Sequence, residues 1–136
     1  MISTKGRYAV RLMIDLAEQP QGIPVPLHDI SVRQGISKKY LEIIVKTLVT
    51  AKFVKGTSGK GGGYMLLRAP SEYTVGEILE VTEETLASVA CLRCDAAPCP
   101  RECFCKTLPM WKKFDSMIHD YFFSITIQDL VEGNID

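Results

Sequence analysis

The sequence predicts a mainly α chain with a small β-wing: a winged helix-turn-helix followed by a long C-terminal dimerisation helix. Three observations predict it. Apolar residues recur at helical spacing through the first half of the chain, with a Gly35-Ile36-Ser37 turn between two of the helices. Two short strand-like runs follow at once and flank a Gly-rich loop. A broad apolar stripe then fills residues 108–125, downstream of a loop that holds all five cysteines. The chain divides into residues 1–84, a cysteine-rich loop over 85–106, and a C-terminal helical part over 107–136.

Taken in order, Ala9, Leu12, Met13, Leu16 and Ala17 mark one face of a first helix, capped by Ser3 or Thr4 and ended by Pro20. A turn-rich connector, Gln21 to Pro26, leads to a short second helix through Leu27, Ile30 and Ser31, stopping near Gly35. Ser37 is a good cap for a third helix. Its inner face is Leu41, Ile44, Val45 and Leu48, and its outer face carries Lys39, Glu42, Ile43 and Lys46. That outer face is long enough to enter a DNA groove, where Ile43 would pack on a thymine methyl and Glu42 accept from a cytosine amino group. A solvated surface helix would carry a similar face.

Phe53–Lys55 and Tyr64–Arg68 are the two strand signals, with Gly56 to Gly63 as the loop between them. Glycines allow close approach to phosphates, and Lys60 adds charge at the tip. A nucleotide phosphate loop is excluded, because Lys60 is followed by Gly61 and the loop enters a strand. Thr74-Val-Gly-Glu77 is a capping box that starts a fourth helix with Val75, Ile78 and Leu79 inside. The loop with Pro98 and Pro100 has no periodicity and reads as non-helical. Thr107 caps the long helix, with Pro109 tolerated in its first turn. Leu108, Trp111, Phe114, Ile118, Tyr121, Phe122 and Ile125 form its broad apolar stripe, widened by Met110 and Met117; a second copy of the chain is the expected partner, with packing on the chain's own winged helix as the alternative. Thr126 to Asp129 caps a last short helix.

The formal net charge of zero hides an asymmetry. Residues 1–70 hold 11 Lys and Arg against 4 Asp and Glu, and residues 71–136 hold 5 against 12. A polyanion partner for the first half follows, with a merely solvated surface as the alternative. No apolar run is long enough to span a membrane and the N-terminus lacks a secretory pattern, so a cytoplasmic protein is expected. In that compartment clustered cysteines read as ligands or sensors rather than disulfides. The Cys91-x-x-Cys94 pair suits zinc or iron, and a thiol switch is a further reading. No Ser-His-Asp or Cys-His arrangement is readable, which argues against an enzyme.

Several separated motifs carry a resemblance over essentially the whole chain. They are Ser3-Thr4-Lys5-Gly6-Arg7-Tyr8-Ala9-Val10, Ile30-Ser31 through Ser37, Tyr40-Leu41-Glu42, Gly61-Gly62-Gly63-Tyr64, Thr74 to Ile78, Thr107 to Trp111 and Ile125 to Leu130. In these the chain resembles the IscR, NsrR and CymR type of bacterial winged-helix regulators, the Rrf-two family. The resemblance implies a homodimer on a roughly palindromic double-stranded operator. The third helix would sit in the major groove and the wing along the minor groove. The DNA contacts so implied are Lys5 and Arg7, then Ser37, Lys38, Lys39, Tyr40, Glu42, Ile43 and Lys46, then Ser58, Lys60, Gly61 and Gly62.

Many members hold an iron–sulfur cluster on three cysteines. By position these are Cys91, Cys99 and Cys105, with Cys105 six residues before Trp111 as in the family. The 2Fe–2S form is expected ahead of 4Fe–4S, and such a loop cluster is labile enough to be lost on purification. Four departures stand out. Leu108 occupies the place of a ligating His, Arg7 that of a ligating acid, Ser58 that of a wing Arg, and Ile43 a place that often holds Gln. The fourth ligand is therefore open among Cys103, Cys94, His28 and a residue of the partner subunit. A cluster-free regulator, and a carrier without specific DNA binding, are the alternative readings.

Overall fold

The computed structural model describes residues 2–136. Helix α1 (Thr4–Ala17) starts where the Ser3 hydroxyl accepts from the Gly6 N–H, and it buries Ala9, Leu12, Met13 and Leu16 as its periodicity requires. Helix α2 (Leu27–Gln34) ends at Gly35, whose left-handed backbone (φ 66°) makes the sharp turn that a side chain would resist. The Ser37 hydroxyl accepts from the Tyr40 N–H and starts α3 (Lys38–Thr50). Leu41, Ile44, Val45 and Leu48 are its buried face, the four positions the spacing singled out.

One buried charge organises this region. Asp15, 2% exposed, lies on the inner side of α1 among apolar neighbours. It accepts from Arg33 Nε (3.0 Å), Arg33 Nη2 (2.7 Å) and Gln34 Nε2 (2.9 Å). Arg11 of α1 donates in turn to the Gln34 side chain and to its backbone carbonyl. A buried carboxylate is tolerable only when it is paired in this way. The result is that α1 holds the end of α2 where the chain turns into α3.

Strands β1 (Val54–Thr57) and β2 (Gly63–Leu66) form the antiparallel wing, with Val54 opposite Leu66 and Thr57 opposite Gly63. The ladder lies nearer the tip than the apolar runs suggested. Tyr73 explains why: its buried hydroxyl accepts from the Leu67 and Arg68 N–H groups (3.1 and 2.9 Å) and donates to the Phe53 carbonyl (2.7 Å). The side chain thus takes the backbone groups that a longer ladder would have used.

Helix α4 (Val75–Thr82) opens with the expected capping box between Thr74 and Glu77. Helix α5 (Leu108–Ser124) runs from the cysteine loop back to this helix. Gly76 is the contact point: a Cβ there would enter the Phe123 ring, so only glycine lets the two helices approach. The Thr126–Asp129 box starts α6 (Ile127–Glu132). Although the sequence division groups this segment with α5, Ile127 is fully buried in the core with Leu12, Leu41 and Tyr73. Its N–H donates to the Tyr73 carbonyl (3.0 Å), and the Val75 N–H donates to Ile125 (2.8 Å). The chain end is thereby stitched onto the winged unit. Among the described residues no helix is long and apolar enough to cross a membrane.

Two expectations need correction. The cysteine loop is not wholly irregular, because single 3-10 turns occur at Ala90–Leu92 and Glu102–Phe104. Thr107 stands at the start of α5, but its side chain makes no cap hydrogen bond. It turns instead to Cys105, with Oγ1 at 3.4 Å from Sγ.

Candidate nucleic-acid interface and cysteine site

On α3 the residues Ser37, Lys38, Lys39, Glu42, Ile43 and Lys46 are exposed, Ile43 by 53%. Four core contacts hold the opposite side, so this face is fixed in direction while its side chains are free. Ser58, Lys60 and Gly61 are exposed at the wing tip, and Gly62 is half-buried at its neck. Helix and wing are joined by only a few residues, so both project from one rigid unit.

Three further residues named for DNA contact lie on or beside α1 and α3. The Tyr40 ring is half-buried and packs edge-on against Tyr8, with centroids 5.7 Å apart, so it braces α3 against α1. Arg7 is exposed, hydrogen-bonds Thr4, and lines a cavity with Tyr8, Leu79 and Phe122. Lys5 is half-buried near the helix start.

The cysteine site is assembled from the loop and the first turns of α5. Cys91, Cys99 and Cys105 line one cavity of about 240 Å³, with Glu102, Leu108 and Lys112 also in its wall. Cys91 is set by the first 3-10 turn. Cys99 and Cys105 are linked through Glu102: its N–H donates to the Cys99 carbonyl (3.1 Å), and its carbonyl accepts from the Cys105 N–H (3.5 Å). All five cysteines are reduced and none is buried. Among the described residues no three His, Cys, Asp or Glu side chains converge on a single point. The three sulfurs are spread around a cavity instead.

Cys105 differs electrostatically. The Thr107 hydroxyl, helped by the Thr107 and Leu108 backbone N–H groups and the charge of Arg101, holds its thiol below the usual range. The residues that sequence reasoning had as spares lie elsewhere. Cys94 lines a second cavity with Asp115 and His119. Cys103 is exposed and outside the first cavity, and His28 is exposed on α2. Sequence reasoning missed Glu102. Its signal was an acid three residues from each of two cysteines.

Of the predicted dimer residues, Phe114 and Tyr121 lie on an uncovered face. None of the 17 residues of α5 is buried, and Met110, Phe114, Met117 and Tyr121 are each about half exposed. Trp111, Ile118 and Phe122 are half-buried.

Residues 2–133 match the model of the Rrf2 family, described as an iron-dependent transcriptional regulator. The HTH-type transcriptional regulator IscR of Vibrio atlanticus (strain LGP32) is 38% identical over 98% of this chain and 76% of its own. The regulator of the same name from Pectobacterium carotovorum subsp. carotovorum (strain PC1) is 37% identical over 97% of this chain and 79% of its own. Among solved structures, CymR, the global cysteine regulator of B. subtilis, superposes with a TM-score of 0.79 at 33% identity, covering 100% of this chain and 98% of that one. T. potens IscR superposes with a TM-score of 0.77 at 35% identity, covering 99% and 88%. Fold, family match and relatives agree: this chain is a transcriptional regulator and belongs to the Rrf2 family.

Proposed function

We propose that the chain is a homodimeric, operator-binding regulator whose DNA affinity responds to an iron–sulfur cluster on Cys91, Cys99 and Cys105. The observation that carries this reading is the shared cavity of those three cysteines at the start of α5, with both other cysteines outside it. The donor set fits such a group. Thiolates are its usual ligands, three cysteines line the cavity, and the Cys105 thiol is held below its usual range.

When bound, the cluster would supply a redox-active centre on Cys91, Cys99 and Cys105, and its loss would leave those three side chains free. The chain does the rest. Cys105 lies two residues before Thr107, where α5 begins, so holding the loop also holds the first turn of that helix. The uncovered apolar face of α5 favours a second copy, since a face of this breadth is rarely left to water. A two-fold dimer presents two α3 helices and two wings to two half-sites. The surplus of positive charge in residues 1–70 supplies the sequence-independent attraction. In this reading the protein works in the cytoplasm.

Anaerobic purification tests the site: the protein should be coloured, with absorbance near about 400 nm. A colourless preparation with stoichiometric zinc would overturn the cluster. DNA selected with and without the cluster then tests the coupling. Glu42→Ala should change the preferred operator by about 1–3 kcal/mol at one base position. Lys60→Ala should weaken all sequences alike and reduce the salt slope by about 1. Equal binding to every duplex would point to a carrier.

A further inference from the structure

We infer that Glu102 provides the fourth, oxygen donor to the iron–sulfur group on Cys91, Cys99 and Cys105. This rests on the reading of that cavity as a cluster site. The place where a nitrogen ligand would be expected from the resemblance does face the cavity, but it holds Leu108, which has no donor atom.

Local backbone geometry selects Glu102. Two successive i to i+3 hydrogen bonds, Glu102 N–H to the Cys99 carbonyl and Cys105 N–H to the Glu102 carbonyl, run through residues 99–105. Side chains three apart in such turns eclipse one another. Cys99, Glu102 and Cys105 therefore share one side of the segment, the side that lines the cavity. Cys103 is one residue out of this phase and lies outside the cavity, although as a thiol it would be the stronger donor.

The other donors nearby are committed. Arg93 holds Asp95 at 3.1 Å and reaches Glu84 at 3.6 Å. Asp115 accepts from the Ser88 N–H at 2.6 Å, and His119 lines the second cavity, with Nδ1 3.5 Å from Asp120. Among the described residues the Glu102 carboxylate has no ion-pair partner. Lys112, in the same wall, offsets part of the negative charge that four anionic ligands would bring. A carboxylate carries the same charge as a thiolate but is a harder donor, so exchanging the two changes the character of the iron it binds without changing the charge of the site.

The test uses the full chain, reconstituted anaerobically with ferrous iron and inorganic sulfide. Iron and sulfide per protomer, the electron paramagnetic resonance of the reduced form, and the rate of cluster loss to a chelator are measured. Glu102→Ala should lose the cluster about tenfold faster or more, since even outer-shell changes at metal sites cost 10–100-fold. Glu102→Cys should retain it with a changed resonance signal and a lower reduction potential. Cys94→Ser and Cys103→Ser should match the wild type. Circular dichroism checks that each variant is folded. Wild-type signals and retention in both Glu102 variants would overturn the assignment while leaving the cluster site standing, as would a changed signal in Cys103→Ser or Cys94→Ser. A wild-type chain that takes up no iron and sulfide would overturn the cluster site itself, and this assignment with it.

Discussion

The winged unit and the α5 region are built on opposite terms. In the winged unit every polar group taken inside meets a partner: Asp15 accepts three hydrogen bonds and the Tyr73 hydroxyl makes three. Leu12, Ile30, Leu41, Ile44 and Leu48 have no exposed surface. Along α5 nothing is buried, and the loop before it places three thiols around an open cavity. The first region is complete within one chain. The second leaves an apolar face uncovered and a cavity open, the two places where the proposed second copy and cluster would sit.

The largest expected effect separates the two directly. Ile44→Ala removes a fully buried side chain from α3 and should cost about 2–5 kcal/mol in urea denaturation. Phe114→Ala removes a side chain that is 46% exposed. At concentrations where the chain is monomeric it should stay within about 0.5 kcal/mol of the parent. Its effect should appear instead as weaker self-association in sedimentation, and as stability that depends on protein concentration. Equal losses for the two variants in the monomer would break the comparison.

Tyr73→Phe comes next. It keeps the ring and its edge-on contact with Phe53, at 5.8 Å between centroids, but leaves the Phe53 carbonyl and the Leu67 and Arg68 N–H groups without the hydroxyl. Stranding buried groups costs about 1–3 kcal/mol each at most, and the Leu67 N–H keeps a weak bond to Phe53, so about 2–3 kcal/mol is expected for the whole change. Hydrogen exchange should report the loss first at the base of the wing. An unchanged denaturation midpoint would mean that the β1–β2 ladder alone holds the wing.

Most of the winged unit is legible in the sequence through its periodicity and caps. The inner face of α3, the Ser37 cap, the Gly35 turn and the Thr74 and Thr126 boxes depend on residues a few positions apart, and those rules are local. What is not legible is long-range. Asp15 reads as an ordinary polar residue until Arg33 and Gln34 are seen to reach it from 18 and 19 residues away. The strand limits follow from Tyr73, which lies outside both strands. Thr107 has the right identity and position for a cap, yet a thiol two residues earlier competes for its hydroxyl. At the cysteine site, the grouping of Cys91, Cys99 and Cys105 comes from the resemblance, and the three residues line one cavity. The phase that separates Glu102 from Cys103 depends on single 3-10 turns, which leave no periodic trace in so short a segment.

A smaller effect tests how the winged unit manages its one buried charge. Arg33→Met removes two of the three bonds to Asp15 and leaves Gln34 as the remaining side-chain donor. Arg33 is itself 38% exposed, so its own desolvation is slight and the cost lies with Asp15. About 1–3 kcal/mol is expected, with Arg33→Lys recovering part of it, because a lysine keeps the charge but not the two-pronged geometry. Thermal unfolding of the two variants beside the parent gives the ranking. If Arg33→Met were neutral, water would have to be satisfying Asp15, and the contrast between a closed core and an open loop would weaken.

The smallest effect lies within the loop. In the metal-free protein Cys105 should be alkylated faster than Cys91, Cys94, Cys99 and Cys103 at neutral pH, because the Thr107 hydroxyl holds its thiol below the usual range and the thiolate is the attacking form. The sign with pH follows. As pH rises, the alkylation rate of Cys105 should level off earlier than that of an ordinary thiol, and as pH falls it should drop once its thiolate is protonated. Thr107→Val should slow Cys105 alone, by less than about tenfold, the equivalent of one modest hydrogen bond. It should leave α5 intact, because Thr107 makes no cap bond there. Mass mapping of a timed iodoacetamide reaction across pH measures each cysteine separately. Equal rates at neutral pH would remove the electrostatic distinction of Cys105. A loss of helix in Thr107→Val would return that residue to the capping role its sequence position suggested.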